Sequence, residues 1–219
     1  MTPRRSIQSR ARASTPAAAR AVMLGVALAL AACSAPAASA PVASASPAAA
    51  SGDCPTSEPA PLAAGETRDV TITTELGEIV IGLSADLSPI AVANFAALAA
   101  CDYYDGIVFH RVVPGFVIQG GDPTGTGTGG PGYTIADEPV TTEYARGTVA
   151  MARSSQPNSV GSQFFIVLDD SARTSLESAN TYQIIGSVTS GMEVADAIAA
   201  AADAEIPSDP VVMTDVSID

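Results

Sequence analysis

From Gly65 to the C-terminus the apolar residues come in short runs, several of them alternating with polar ones and broken by glycine, proline or acidic residues. A chain patterned this way builds strands rather than long helices. Val70-Thr71-Ile72-Thr73 and Ile79-Val80-Ile81-Gly82-Leu83 flank Glu75-Leu76-Gly77-Glu78, which reads as a hairpin with Gly77 supplying the turn. Further strands are expected over 108–112, 117–119, 148–151, 163–168, 183–188 and 211–218. Two helices interrupt them. Ser88-Pro89 opens the first, serine capping free N–H groups and proline fitting the first helical position, with Ile90, Phe95, Ala97, Leu98 and Cys101 toward the core. The second, Met192 to Ala202, places Val194, Ile198 and Ala201 on one side. Many short strands with only two helices define a mainly β domain, a closed barrel or a sandwich.

The N-terminal third follows a different logic. Residues 1–20 carry Arg4, Arg5, Arg10, Arg12 and Arg20 without an acidic residue, and Ala21 to Ala32 is uncharged and apolar. A basic flank with an apolar centre is an export signal. Twelve helical residues rise about 18 Å, short of the ~30 Å hydrocarbon core, so cleavage is expected rather than a permanent span. The Arg4-Arg5 pair fits twin-arginine export or simple positive charge. Leu30-Ala31-Ala32-Cys33 resembles the lipobox of bacterial lipoproteins, which implies a signal peptide over 1–32, lipidation of Cys33, and anchoring to the outer face of the cell membrane through that lipid alone. Residues 33–65, rich in Ala, Ser and Pro, read as a disordered tether with a reach on the order of 30 Å. The folded domain is expected over 66–219. Cys54 and Cys101 remain after processing, either joined as a disulfide between the tether's end and the first helix or left as two free thiols.

Charge removes whole classes of function. Past residue 32 stand five arginines against 23 acidic residues, a formal charge near −18. Nucleic-acid binding needs a basic face and is excluded. There is no lysine, hence no P-loop lysine, Schiff base or lysine general base. The single histidine, His110, leaves a zinc site without ligands, and no G-x-S-x-G elbow exists for a serine hydrolase. No cofactor or metal is expected.

Two clauses carry chemistry. Phe109 to Asp122, FHRVVPGFVIQGGD, joins two apolar strands through Pro114-Gly115 and can direct Arg111 and Gln119 out of one sheet face. Gly161-Ser162-Gln163-Phe164-Phe165-Ile166, preceded by Met151-Ala152-Arg153-Ser154, adds a second glutamine and two aromatics. With Asn94-Phe95, Tyr104-Asp105-Gly106 and Gly127-Thr128-Gly129-Gly130, these clauses resemble the cyclophilins over about Val70 to Asp219. The resemblance implies a closed eight-stranded antiparallel β-barrel capped by two α-helices, and cis–trans isomerisation of X-Pro peptide bonds in exported polypeptides. It implies Arg111 as donor to the twisting amide and Gln119 as its orienter or a substrate contact. Phe116, Val117, Phe165 and Leu176 would line the proline pocket, with His110, Gly127, Ala152, Arg153, Gln163 and Tyr182 around the bound peptide. Relatives with tryptophan before the leucine differ from Ser175 here, which weighs against tight cyclosporin binding. Val117 stands for a methionine, Arg153 for an asparagine and Tyr182 for a histidine. The partners expected are proline-containing unfolded or extended polypeptides, with the protein a monomer. The alternative is a non-catalytic module that binds proline motifs, or a chaperone, in the cell envelope.

Overall fold

The computed structural model describes residues 53–219. The export signal, Cys33 and most of the tether lie outside the described residues. Eight strands form one antiparallel sheet: β1 (Thr67–Thr74), β2 (Gly77–Ser84), β3 (Arg111–Val113), β4 (Val117–Gly120), β5 (Thr148–Met151), β6 (Phe164–Val167), β7 (Ile184–Ser190) and β8 (Asp215–Ile218). Their spatial order is β3-β4-β6-β5-β7-β2-β1-β8. In β1 and β2 the buried residues alternate, with Val70, Ile72, Ile79, Ile81 and Leu83 inward, as a strand with one solvated face requires. The short central strands β5 and β6 are buried at every position, so both of their faces are covered.

Three α-helices accompany the sheet: α1 (Pro89–Ala99), α2 (Arg173–Ala179) and α3 (Met192–Ala201). Phe95 and Leu98 of α1 and Val194 and Ile198 of α3 join the inner core with Ile72, Ile81, Ile118, Phe164 and Ile166. The expected α1 start is right, but its capping is not. The Ser88 hydroxyl makes no cap bond, and the Glu138 carboxylate accepts from the N–H groups of Ile90 and Ala91, both at 2.9 Å. A carboxylate also suits the positive end of the helix dipole better than a hydroxyl does. The hairpin turn is Glu75-Leu76, and Gly77 pairs with Thr74 as the first residue of β2.

Two expectations about architecture need correction. There is a third helix, the short α2, which follows β6 and places Leu176 on the sheet's outer face. The barrel is not closed by ladders: β3 and β8 are the free ends of an open, half-barrel sheet. The residues ahead of these two strands meet only through a single bridge, Val108 to Val212, and bonds such as Phe109 N–H to the Val211 carbonyl at 3.0 Å. At Val112 the edge N–H is taken by the carbonyl of Glu205, in the loop after α3, at 2.8 Å. That loop occupies the edge a closing strand would need.

Residues 53–65, expected as the end of the tether, lie along the domain. Cys54 is bonded to Cys101, Leu62 N–H donates to the Pro89 carbonyl, and Gly65 N–H to Asp86. Leu62 also packs against the core. The Glu58 carboxylate accepts from Ala136 N–H.

Candidate active site

Residues directly opposite on antiparallel strands project to the same face. Arg111 faces Gln119, Gln119 faces Phe165, and Phe165 faces Ala150, so one row crosses β3, β4, β6 and β5. Val117, two residues from Gln119, shares that face. Their alternates Val112, Ile118, Phe164 and Ile166 fill the inner core. The outer row therefore sits on a strand framework anchored from behind. Val117, Ala150, Phe165 and Leu176 form a second apolar cluster, with Phe116, Ala152 and Tyr182 half-buried against it. The Phe165 and Tyr182 rings meet edge to face at 5.4 Å. Between them opens a cavity of about 290 Å³, lined by Arg111, Phe116, Val117, Gln119, Ala152, Arg153, Phe165, Leu176 and Tyr182.

Arg111 lines this cup from its β3 edge, and its Nε donates to Glu205 Oε1 at 2.8 Å. Gln119, expected to orient Arg111 or to bond the substrate, donates from Nε2 to Gln163 Oε1 at 2.9 Å. Gln163 Nε2 in turn donates to the Gly129 carbonyl at 2.9 Å. This relay runs from the cup into a second, larger groove of about 730 Å³, which holds Gly127 to Thr134 and shares Gln119, Ala152 and Arg153 with the cup.

The groove's glycine-rich wall is fixed by Asp122. Its buried carboxylate accepts from Thr124 N–H at 2.7 Å, Thr124 Oγ1 at 2.8 Å and Gly129 N–H at 3.0 Å. Burial pushes the Asp122 pKa up, but the bonds from Gly129 and Thr124 outweigh it, and the carboxyl lies below its ordinary 3.8. Any side chain at Gly129 would strike that carboxylate, and a Cβ at Gly121 would strike the Ser162 carbonyl. Ser162 Oγ donates to the Gly121 carbonyl at 2.6 Å, and Tyr104 to the Ser162 carbonyl at 3.0 Å, so the start of β6 is held by core side chains.

One site residue differs from expectation. His110 reaches neither cavity. It is only 5% exposed, and both ring nitrogens lack partners among the described residues. Burial lowers its pKa below the ordinary 6.5, so the ring is neutral at pH 7. Arg153 lines both cavities, but its side chain is 9% exposed and its donors are taken, by Asp137 at 2.9 Å and the Gln156 carbonyl at 2.6 Å. It is a wall, with no free charge to offer. Glu205 and Asp137 were missed because each acts through a bond to an arginine that no local motif specifies, and Asp122, although it closes the FHRVVPGFVIQGGD clause, was not read as the clamp on the glycine-rich loop two to seven residues on.

The family model for cyclophilin type peptidyl-prolyl cis-trans isomerases matches residues 69–218. Peptidyl-prolyl cis-trans isomerase A of Mycobacterium tuberculosis is 37% identical over 183 residues, covering 76% of this chain and 98% of that protein. A streptococcal protein whose name couples a phosphatase with a peptidyl-prolyl cis-trans isomerase is 52% identical over 104 residues. That match takes in 45% of this chain but only 22% of the streptococcal protein. A cyclophilin type isomerase structure from Cryptosporidium parvum, solved in the presence of the dipeptide Ala-Pro, superposes with a TM-score of 0.62 at 36% identity, over 69% of this chain and 98% of that one. An antiparallel half-barrel carrying an arginine beside an apolar cup is thus the framework of a prolyl isomerase. The chain belongs to the cyclophilin-type peptidyl-prolyl cis-trans isomerase family.

Proposed function

We propose that this chain accelerates X-Pro isomerisation in polypeptides outside the cell, with Arg111 as the catalytic donor and the cup of Phe116, Val117, Phe165 and Leu176 holding the proline ring. The observation that carries it is the single row Arg111–Gln119–Phe165–Ala150, which sets a cation at the lip of a cavity that Phe116, Val117, Phe165 and Leu176 help to wall. A peptide bond resists rotation by ~18–20 kcal/mol because the nitrogen lone pair is delocalised into the carbonyl. Twisting returns that pair to the nitrogen, and a fixed donor favours the twisted state over either planar isomer. Arginine suits this, being always charged and planar. No nucleophile or proton transfer is required. Lowering the barrier by ~7 kcal/mol gives about 10⁵-fold acceleration.

The clients we infer are extended proline-containing segments, with the flanking residues in the groove of Gly127, Gly129 and Gln163. The acidic surface favours basic or neutral segments over acidic ones. Export and anchoring through Cys33 are part of the same proposal. The Cys54–Cys101 disulfide supports it, since such bonds persist in oxidising compartments. The test is a protease-coupled X-Pro assay with the wild-type protein and Arg111→Ala. Acceleration by the wild type alone upholds the proposal; binding of the peptide without acceleration makes the protein a proline-motif module instead. Mass spectrometry of the membrane fraction tests the anchor, which requires a mature chain beginning at an acylated Cys33.

A further inference from the structure

We infer that Glu205 is a positioning residue for Arg111, a refinement that rests on the isomerase reading of that arginine. Two bonds from neighbouring residues meet at Glu205: Arg111 Nε–H donates to its carboxylate, and Val112 N–H donates to its carbonyl, each at 2.8 Å. The backbone bond registers the loop against β3, beside the point where the side chains pair. The loop is itself closed on Asp203, whose carboxylate accepts from Ser208 N–H at 3.0 Å and Ser208 Oγ at 2.6 Å. Glu205 is thus presented by a turn tied at both ends.

The geometry of the pair matters for catalysis. Arg111 lines the cup and Glu205 does not, so the carboxylate grips the guanidinium from outside the space a proline ring would fill. Engaging Nε fixes the plane of the guanidinium and leaves its terminal N–H groups, which have no partner among the described residues, to meet the substrate. A long arginine at a sheet edge would otherwise sample many rotamers and lose the alignment that differential stabilisation needs. The pair is exposed on both sides, 35% for Arg111 and 61% for Glu205, and such pairs contribute little to folding. Orientation, rather than stability, is what it supplies.

Steady-state isomerase kinetics on Glu205→Ala, Glu205→Gln and Asp203→Ala decide it. Glu205→Ala lowers kcat about tenfold with KM within about twofold, since substrate still enters the cup. Glu205→Gln keeps an oxygen acceptor for Nε–H and stays within about threefold of wild type, and Asp203→Ala falls between. In NMR spectra the Arg111 Nε–H resonance is protected in wild type and Glu205→Gln and lost to exchange in Glu205→Ala, while thermal unfolding of all variants is unchanged. Wild-type kcat in Glu205→Ala overturns the inference. So does an equal loss in the Ala and Gln variants, which would mean that charge, not orientation, is at work. Failure of the isomerase reading shows up separately, as a wild-type protein that gives no acceleration.

Discussion

The cup and the groove lie side by side and share Gln119, Ala152 and Arg153, yet they are built by different means. The cup stands on ladder-paired strands whose alternate residues are locked into the inner core. The groove stands on loops, shaped by the Asp122 carboxylate accepting from Gly129 N–H, the Gln163 amide donating to the Gly129 carbonyl, and the Asp137 carboxylate accepting from Arg153. Strand registers move only by breaking several bonds at once, whereas loops shift when one clamp is lost. The reaction is accordingly assigned to the cup, and the choice among peptides to the groove.

Phe165→Ala attacks the cup and has the largest expected effect. Deleting a buried ring costs ~3–5 kcal/mol of stability by urea denaturation and lowers the rate on every X-Pro peptide alike. A selective loss on some peptides would blur the division between the two regions. Replacing Cys54 and Cys101 together by serine opens a link across 47 residues and costs ~2–4 kcal/mol, measured the same way. It leaves the cup intact, so isomerisation stays within about twofold of wild type.

Asp122→Asn acts on the groove alone. It weakens the glycine-loop clamp by ~1–2 kcal/mol and changes the ranking of peptides more than the rate on the best one. The wild-type clamp also responds to acid. Because the folded carboxyl lies below 3.8, its contribution is whole above that pH and is lost as pH falls through the lower folded value. His110, lowered from 6.5, makes stability decline earlier, as pH drops below 6.5 and the unfolded chain gains a proton that the buried ring resists. Thermal melts between pH 7 and 3 should show both losses, and Asp122→Asn should lessen the second, which Asp169, Asp196 and Asp203 share. The smallest effect is expected from Asp137→Asn, which releases Arg153 toward the groove and raises the rate on peptides with an acidic residue beside proline about two- to threefold.

The hairpin side of the cup was legible in the sequence because its parts are local, while Phe165, Leu176 and Tyr182 were placed there by the family resemblance. FHRVVPGFVIQGGD folds on itself as the β3–β4 hairpin, and the pairing of Gln119 with Phe165 follows from strand alternation once β6 is placed beside it. What escaped was set by contacts distant along the chain. Glu205 bonds Arg111 across 94 residues and Glu138 caps α1 across 48, while the sequence pointed to Gln119 and Ser88 for these two roles. A single sequence shows which residues can donate and accept, but not which distant loop will bring the partner. The open sheet has the same origin, since nothing in 202–210 announces that its backbone covers the β3 edge.

The most direct test of the division of labour is NMR exchange on an Ala-Pro-containing peptide, which reports binding and isomerisation from one sample. With Arg111→Ala the cup remains, so the peptide binds within about threefold of wild type while the on-enzyme exchange rate falls about 10²-fold or more. Exchange at the wild-type rate in that variant would contradict the assignment of the reaction to Arg111.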